Sequence, residues 1–257
     1  QEGVHRVYLS ATIPNLDDLT RVFGITPTRI ETSNPDYNPQ RLFVFSGKTT
    51  IEDSEEVIRE NISNISPKTL ILVPSKEYAS KYKSSGAVVV ENTEEASQKI
   101  EEFKVKTEGA LVLANRYDGI DLPDGTCHTL LIDGLPYAGT LKTRFFSEYF
   151  HNHQNYFLRS VMAAKLVQAF GRTIRSSNDY SIIFLIGDRL NSWVINKDNR
   201  KFFKADLCGD IEIGLAVSEK VSKLDDMISL SSEILNQTDS WKRFLEDRRS
   251  KLEPCVA

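Results

Sequence analysis

Cysteine is scarce in this sequence: three among 257 residues, Cys127, Cys208 and Cys255, with no CxxC pair among them. The four histidines fall into no metal-ligand spacing, so neither a zinc site nor a disulfide framework organises the chain, and we expect reduced thiols and no metal site. No apolar run approaches the roughly 18–20 residues that a membrane span needs. The N-terminus lacks a charged leader ahead of an apolar segment, so no signal peptide is expected and the expected location is cytoplasmic. Neither sign of charge dominates: 32 Lys and Arg stand against 36 Asp and Glu, a net charge of −4. Global charge therefore offers no footprint for a polyanion, and any nucleic-acid surface has to be local.

A complete phosphate-binding loop is also missing. Ser46-Gly47-Lys48-Thr49-Thr50 ends like one, but the GxxxxGK[ST] pattern requires glycine at position 42, where Leu42 stands. No acidic magnesium-binding box accompanies it. The chain starts at Gln1 rather than at Met and enters an apolar strand (residues 4–9) within a few residues. We expect it to be part of a longer protein.

What is present is an alternation of short apolar strands and helical segments. Strands are expected at 41–45 (RLFVF), 69–73 (TLILV), 87–91 (AVVVE), 110–114 (ALVLA), 129–133 (TLLID) and 180–187 (YSIIFLIG). Helices are expected at 54–65, 76–84, 94–105 and 160–175. Continuously apolar strands joined by helices specify an α/β fold, a parallel sheet with helices on both faces. A short helix from Leu16 would end at Gly24 as its C-cap. Residues 26–40 carry three prolines and several turn formers, which makes them a linker. Segment 215–252 reads as two further helices broken near 236–239. The expected units are 1–25, the linker 26–40, an α/β unit at 41–190 and a mainly helical extension at 191–257.

The strongest chemical signal is Gln168-Ala169-Phe170-Gly171-Arg172-Thr173-Ile174-Arg175. On a continuous helix the i, i+4, i+7 spacing places Gln168, Arg172 and Arg175 on one face, and Gly171 leaves room for another backbone or a ligand there. Two guanidiniums on one stripe can clamp the oxygens of a transferring phosphoryl group. The second signal, Ala114-Asn115-Arg116-Tyr117-Asp118-Gly119-Ile120-Asp121, follows a strand at the edge where open parallel sheets take ligands. Gly119 permits a sharp turn, Asp121 can accept from a ribose hydroxyl, and Asn115 and Arg116 can reach phosphate oxygens. Ser75 is a helix N-cap candidate. Lys142, Arg144, Arg159, Lys165, Arg172 and Arg175 lie within 34 residues opposed only by Glu148. Tyr149, Tyr156 and Phe157 are interleaved with them, a composition that suits a single strand; most of these rings are expected to serve the core. Arg144 is the first phosphate-contact candidate.

These segments resemble, in order, four motifs of superfamily-two helicases. Leu9-Ser10-Ala11-Thr12 resembles motif III, LVPSKEY (72–78) motif IV, the Asn115–Asp121 stretch motif V and the Gln168–Arg175 stretch motif VI. The continuation through Asp179 to Asp188-Arg189, together with IDGLPYAG (132–139), is similar to the XPD/DinG-like branch, with Asp118 where that branch has Glu and Tyr137 where it has Phe. The resemblance implies a RecA-like second domain and an intact protein that hydrolyses ATP with Mg²⁺. It implies that Arg172 and Arg175 act on the γ-phosphoryl group, that Gln168 orients phosphate or water, and that Gly119, Asp121 and Gly171 line the nucleotide. Ser75, Asn115, Arg116 and Arg144 would contact nucleic acid, a single-stranded DNA track, and Ser10, Ala11 and Thr12 would couple the two events. The phosphate-binding half and most Mg²⁺ contacts would belong to an N-terminal RecA-like domain of the same chain. A translocase that does not separate strands, as in restriction or anti-phage systems, and a non-catalytic RecA-like binding module remain alternatives.

Overall fold

A computed structural model describes residues 39–90, 92–117, 122, 125–136, 156–174 and 179–251, together with residues 20, 24–26 and 28. The expected strand at 4–9, most of the helix ending at Gly24 and most of the linker lie outside these residues. Gly24 itself has φ +72° and donates its N–H to the Thr20 carbonyl at 2.8 Å, as a helix C-cap does.

The six strands expected between residues 41 and 187 form: β1 (Gln40–Phe45), β2 (Lys68–Val73), β3 (Val88–Val90), β4 (Gly109–Ala114), β5 (Thr129–Asp133) and β6 (Tyr180–Ile186). They make one sheet in the order β1-β6-β5-β2-β4-β3, parallel at every pairing. Among the described residues the helices are α1 (Ser54–Glu60), α2 (Ile62–Ile65), α3 (Lys76–Ser80), α4 (Thr93–Val105), α5 (Tyr156–Phe170), α6 (Asp188–Ile195), α7 (Lys197–Arg200), α8 (Ala205–Ser218), α9 (Leu224–Leu235) and α10 (Asp239–Ser250).

Alternate residues of each strand point to opposite faces, and both faces are covered. Phe43, Leu70, Leu111, Leu130 and Ile183 face one core, closed by α4, α5 and α6. Leu42, Ile71, Val112, Leu131 and Ile182 face the other, closed by α1, α2, α9 and α10. This two-sided burial is why the strands read as unbroken apolar runs.

Four expectations need correction. The helix expected at 76–84 ends at Ser80, and a separate 3-10 turn follows at Lys83–Ser85. The helix at 54–65 is two helices, broken at Asn61, whose side-chain amide donates to the Val57 carbonyl at 2.9 Å and competes with the backbone ladder there. The expected helix at 160–175 begins earlier, at Tyr156, and ends at Phe170. A 3-10 turn spans Gly171–Thr173, and Ile174 is already extended at φ −139°, ψ 123°. The regular helix that would align Gln168 with Arg172 therefore stops at Phe170, and Arg175 lies outside the described residues. Finally, the first of the two late helices starts at Leu224, because residues 215–218 finish α8.

Helix α8 runs against the edge strand β1. A Cβ on Gly214 would stand 2.6 Å from the Phe43 carbonyl oxygen, so the approach requires glycine. Ser218 Oγ accepts from the Phe45 N–H at 2.9 Å, satisfying a donor on the outer side of β1. Asp210 of α8 is buried between Arg41 of β1 and Arg249 of α10, each at 2.8 Å. Burial raises its pKa, and the two guanidiniums pull in the other direction.

Candidate nucleotide and nucleic-acid site

The site candidates that the structure describes lie at the loops following β2 and β4, on the last turn of α5 and on the 3-10 turn that follows it. Ser75 caps α3 as expected, accepting from the Tyr78 N–H at 3.3 Å. Beside it, Asn115 leaves β4 in the left-handed region, φ +54°, and donates its N–H to the Val73 carbonyl of β2 at 2.7 Å. Asparagine tolerates this conformation better than other non-glycine residues. Its side chain is exposed, whereas Arg116 is half-buried.

Tyr117 then turns inward and is only 3% exposed. Burial, with the negative charge of Asp133 nearby, pushes its phenol pKa well up, so the ring remains neutral. Its carbonyl accepts from Nε of Arg172 at 3.0 Å. The segments resembling motifs V and VI are thus joined by a hydrogen bond. Arg172 and Gln168 are half-buried. Gly171 is exposed, with nothing among the described residues within 4 Å of where a side chain would begin. Two residues on, Thr173 is buried and shares a 2.7 Å hydroxyl contact with Ser181, which fixes the turn to β6. Arg175, Gly119, Asp121, Arg144 and Ser10, Ala11 and Thr12 lie outside the described residues.

Sequence reasoning missed a buried network beneath this surface. Asp133, the last residue of β5, has no exposed surface. It accepts two hydrogen bonds from Arg59, at 2.7 and 3.0 Å, and one from the Tyr82 hydroxyl at 2.9 Å. Arg59 also meets Glu55 at 2.9 Å. These partners hold the guanidinium charged, with its pKa raised despite burial. Gly134 follows at φ +94°, where a Cβ would meet Tyr78 at 2.9 Å. An aspartate ending the apolar run TLLID was the available signal.

A six-stranded, all-parallel sheet with helices on both faces is a RecA-like α/β lobe, and here its candidate residues lie on the loops after β2 and β4 and around the end of α5. The family model of the helicase C-terminal domain matches residues 58–205, more than half of the chain, and the chain belongs to that family. Solved structures with a similar fold include an XPD helicase, at 17% identity and TM-score 0.52 over 75% of this chain and 40% of that one. Dbp5 of S. cerevisiae bound to RNA and ADP BeF3 is similar at 21% identity and TM-score 0.50, over 83% of this chain and 54% of that one. The C-terminal domain of the DEAD-box protein Dbp5 superposes at TM-score 0.44 with 19% identity, over 72% of this chain and 99% of that one. The chain spans about half the length of the first two. No curated protein matches it. Among the described residues no helix is long and apolar enough to cross a membrane.

Proposed function

We propose that this chain is the second lobe of an ATP-driven nucleic-acid helicase or translocase, and that it contributes the arginine side of the nucleotide site. The observation that carries the reading is the hydrogen bond from Arg172 to the Tyr117 carbonyl, which brings the two motif-like segments into one constellation. Cationic and amide side chains, Arg172 with Gln168, suit the oxygens of a phosphoryl group. Among the described residues no three His, Cys, Asp or Glu side chains group closely enough to hold a metal. The reading assigns Mg²⁺ to the opposite lobe.

In this mechanism Arg172 and Arg175 donate to γ-phosphoryl oxygens as their charge grows, and Gln168 orients the phosphate or the attacking water. Asp121 accepts from the ribose after the turn at Gly119, and Gly171 leaves room beside the phosphates. ATP with Mg²⁺ supplies the phosphoryl group and neutralises part of its charge. Ser75, Asn115, Arg116 and Arg144 contact the backbone of a single strand, DNA in our reading. Ser10, Ala11 and Thr12 link nucleotide state to that grip. The residues fall into a lobe at 41–190 behind a linker at 26–40, and helices of the 191–257 region cover one face of its sheet. RNA and ADP BeF3 on Dbp5, a protein of similar fold, support the ligand classes.

The test is steady-state ATP hydrolysis by the intact protein with and without Arg172→Ala. Loss of a guanidinium acting on the transition state lowers kcat by about 10²-fold or more. An unchanged kcat would remove the arginine role. Hydrolysis by this chain alone, abolished by the same substitution, would contradict the division of the site between two lobes.

A further inference from the structure

We infer that Tyr117 is a positioning residue for Arg172, holding the guanidinium through its main-chain carbonyl while its ring anchors the loop in the sheet's core. The inference deepens the reading above and rests on it.

The geometry comes in three steps. Asn115, one residue beyond β4, donates to the Val73 carbonyl at 2.7 Å and so ties the start of the loop to β2. Two residues later the Tyr117 ring enters the core that also holds Leu113, Leu122 and Phe170. A loop fixed at 115 and again at 117 has little freedom in between, so the Tyr117 carbonyl keeps a set direction relative to the sheet. That carbonyl accepts from Nε of Arg172 at 3.0 Å. The Nε position matters because it lies at the base of the planar guanidinium. A partner there fixes the plane that presents the two terminal nitrogens.

Such a support is needed because Arg172 is not on a regular helix. It sits in a 3-10 turn, after α5 has ended and before β6 begins. A long side chain on a turn loses considerable rotamer entropy when it is fixed, and a preformed bond reduces what remains to be lost when phosphate arrives. The ring's role is anchorage. Its hydroxyl has no hydrogen-bond partner among the described residues, so phenylalanine can replace it and the ring still fills the same space.

The experiment is a double-mutant cycle on the intact protein, reading kcat and KM for ATP, with rates normalised to the fraction that binds a fluorescent nucleotide. Tyr117→Ala lowers kcat by about 10- to 100-fold, the scale of a misplacement near 1 Å, and Tyr117→Phe restores it. In an Arg172→Ala background Tyr117→Ala produces no further loss, because what it misplaces is already gone. Should Tyr117→Ala fail to fold, Tyr117→Leu, which keeps most of the apolar volume, takes its place in the same cycle. A kcat for Tyr117→Ala within about twofold of the parent overturns the inference. So do fully additive losses, and so does a Tyr117→Phe rate as low as that of Tyr117→Ala. Failure of the arginine role itself is separate: Arg172→Ala alone would then leave kcat unchanged.

Discussion

Arg59 and Asp133 meet through two parallel hydrogen bonds, Nε to Oδ2 at 2.7 Å and Nη2 to Oδ1 at 3.0 Å, and the carboxylate has no exposed surface. Helix α1 is thereby locked to the end of β5, at the sheet edge where the loops of the site begin. A buried ion pair costs more when one partner is removed than its net contribution suggests, since the remaining charge stays in low dielectric. Arg59→Met therefore destabilises this chain by about 3–5 kcal/mol. Urea unfolding measures it, and a loss below about 1 kcal/mol, the scale of an exposed pair, would contradict the buried geometry.

Gly214 offers a sharper steric test. Alanine there would drive a methyl group to 2.6 Å from the Phe43 carbonyl oxygen. The obstructing atom is backbone of a paired strand, which cannot rotate away as a side chain can. Gly214→Ala should cost about 1–3 kcal/mol or more, lowering Tm by roughly 2–4 °C per kcal/mol for a chain of this size. At Gly171, which is exposed and meets nothing within 4 Å among the described residues, the same exchange should leave Tm nearly unchanged. Equal thermal shifts at the two positions would refute the packing argument.

The Cys127 thiol supplies a pH dependence. Burial pushes its pKa up from 9.0 to about 11, against the weaker pull of hydrogen bonds from the Thr129 and Leu70 backbone. Because the folded value lies above the unfolded one, the native state retains the proton that the unfolded state has already released. Its contribution is complete below about pH 9 and is lost as pH rises towards about 11, at roughly 1.4 kcal/mol per unit. Relative to Cys127→Ala, the parent chain should lose stability faster between those pH values. Parallel curves of denaturation midpoint against pH would exclude the shift.

The legibility of the sequence varied with how each segment is buried. Strands such as TLILV and TLLID are apolar at every position because both faces of the sheet are covered, and that pattern survives without any knowledge of neighbours. Helix α8 was not readable. Leu207, Cys208 and Ile211 enter one core and Ile213 the other, so its apolar residues wrap around it and leave no amphipathic stripe. The end of α5 at Phe170 was hidden for another reason. Q-x-x-G-R-x-x-R continues a helical spacing, and only the pinning of Thr173 to Ser181 shows where the chain leaves the helix. In the candidate site, Ser75, Asn115, Arg116, Gln168, Gly171 and Arg172 could be named from residue type and spacing. Tyr117 could not, because what it offers Arg172 is a carbonyl, a group that every residue carries.

The close fit of α8 on β1 also separates recognisability from foldability. The stretch recognisable as a helicase lobe, 58–205, omits β1 entirely and stops where α8 starts. A recombinant piece trimmed to those limits would leave β6 as a bare outer rim of hydrogen-bonding groups and strip away the wall formed by Ile213, Trp241 and Leu245. Such a piece should precipitate or pair edge to edge with its own copies. Whoever prepares this lobe by itself will need to begin before Gln40 and run through α10.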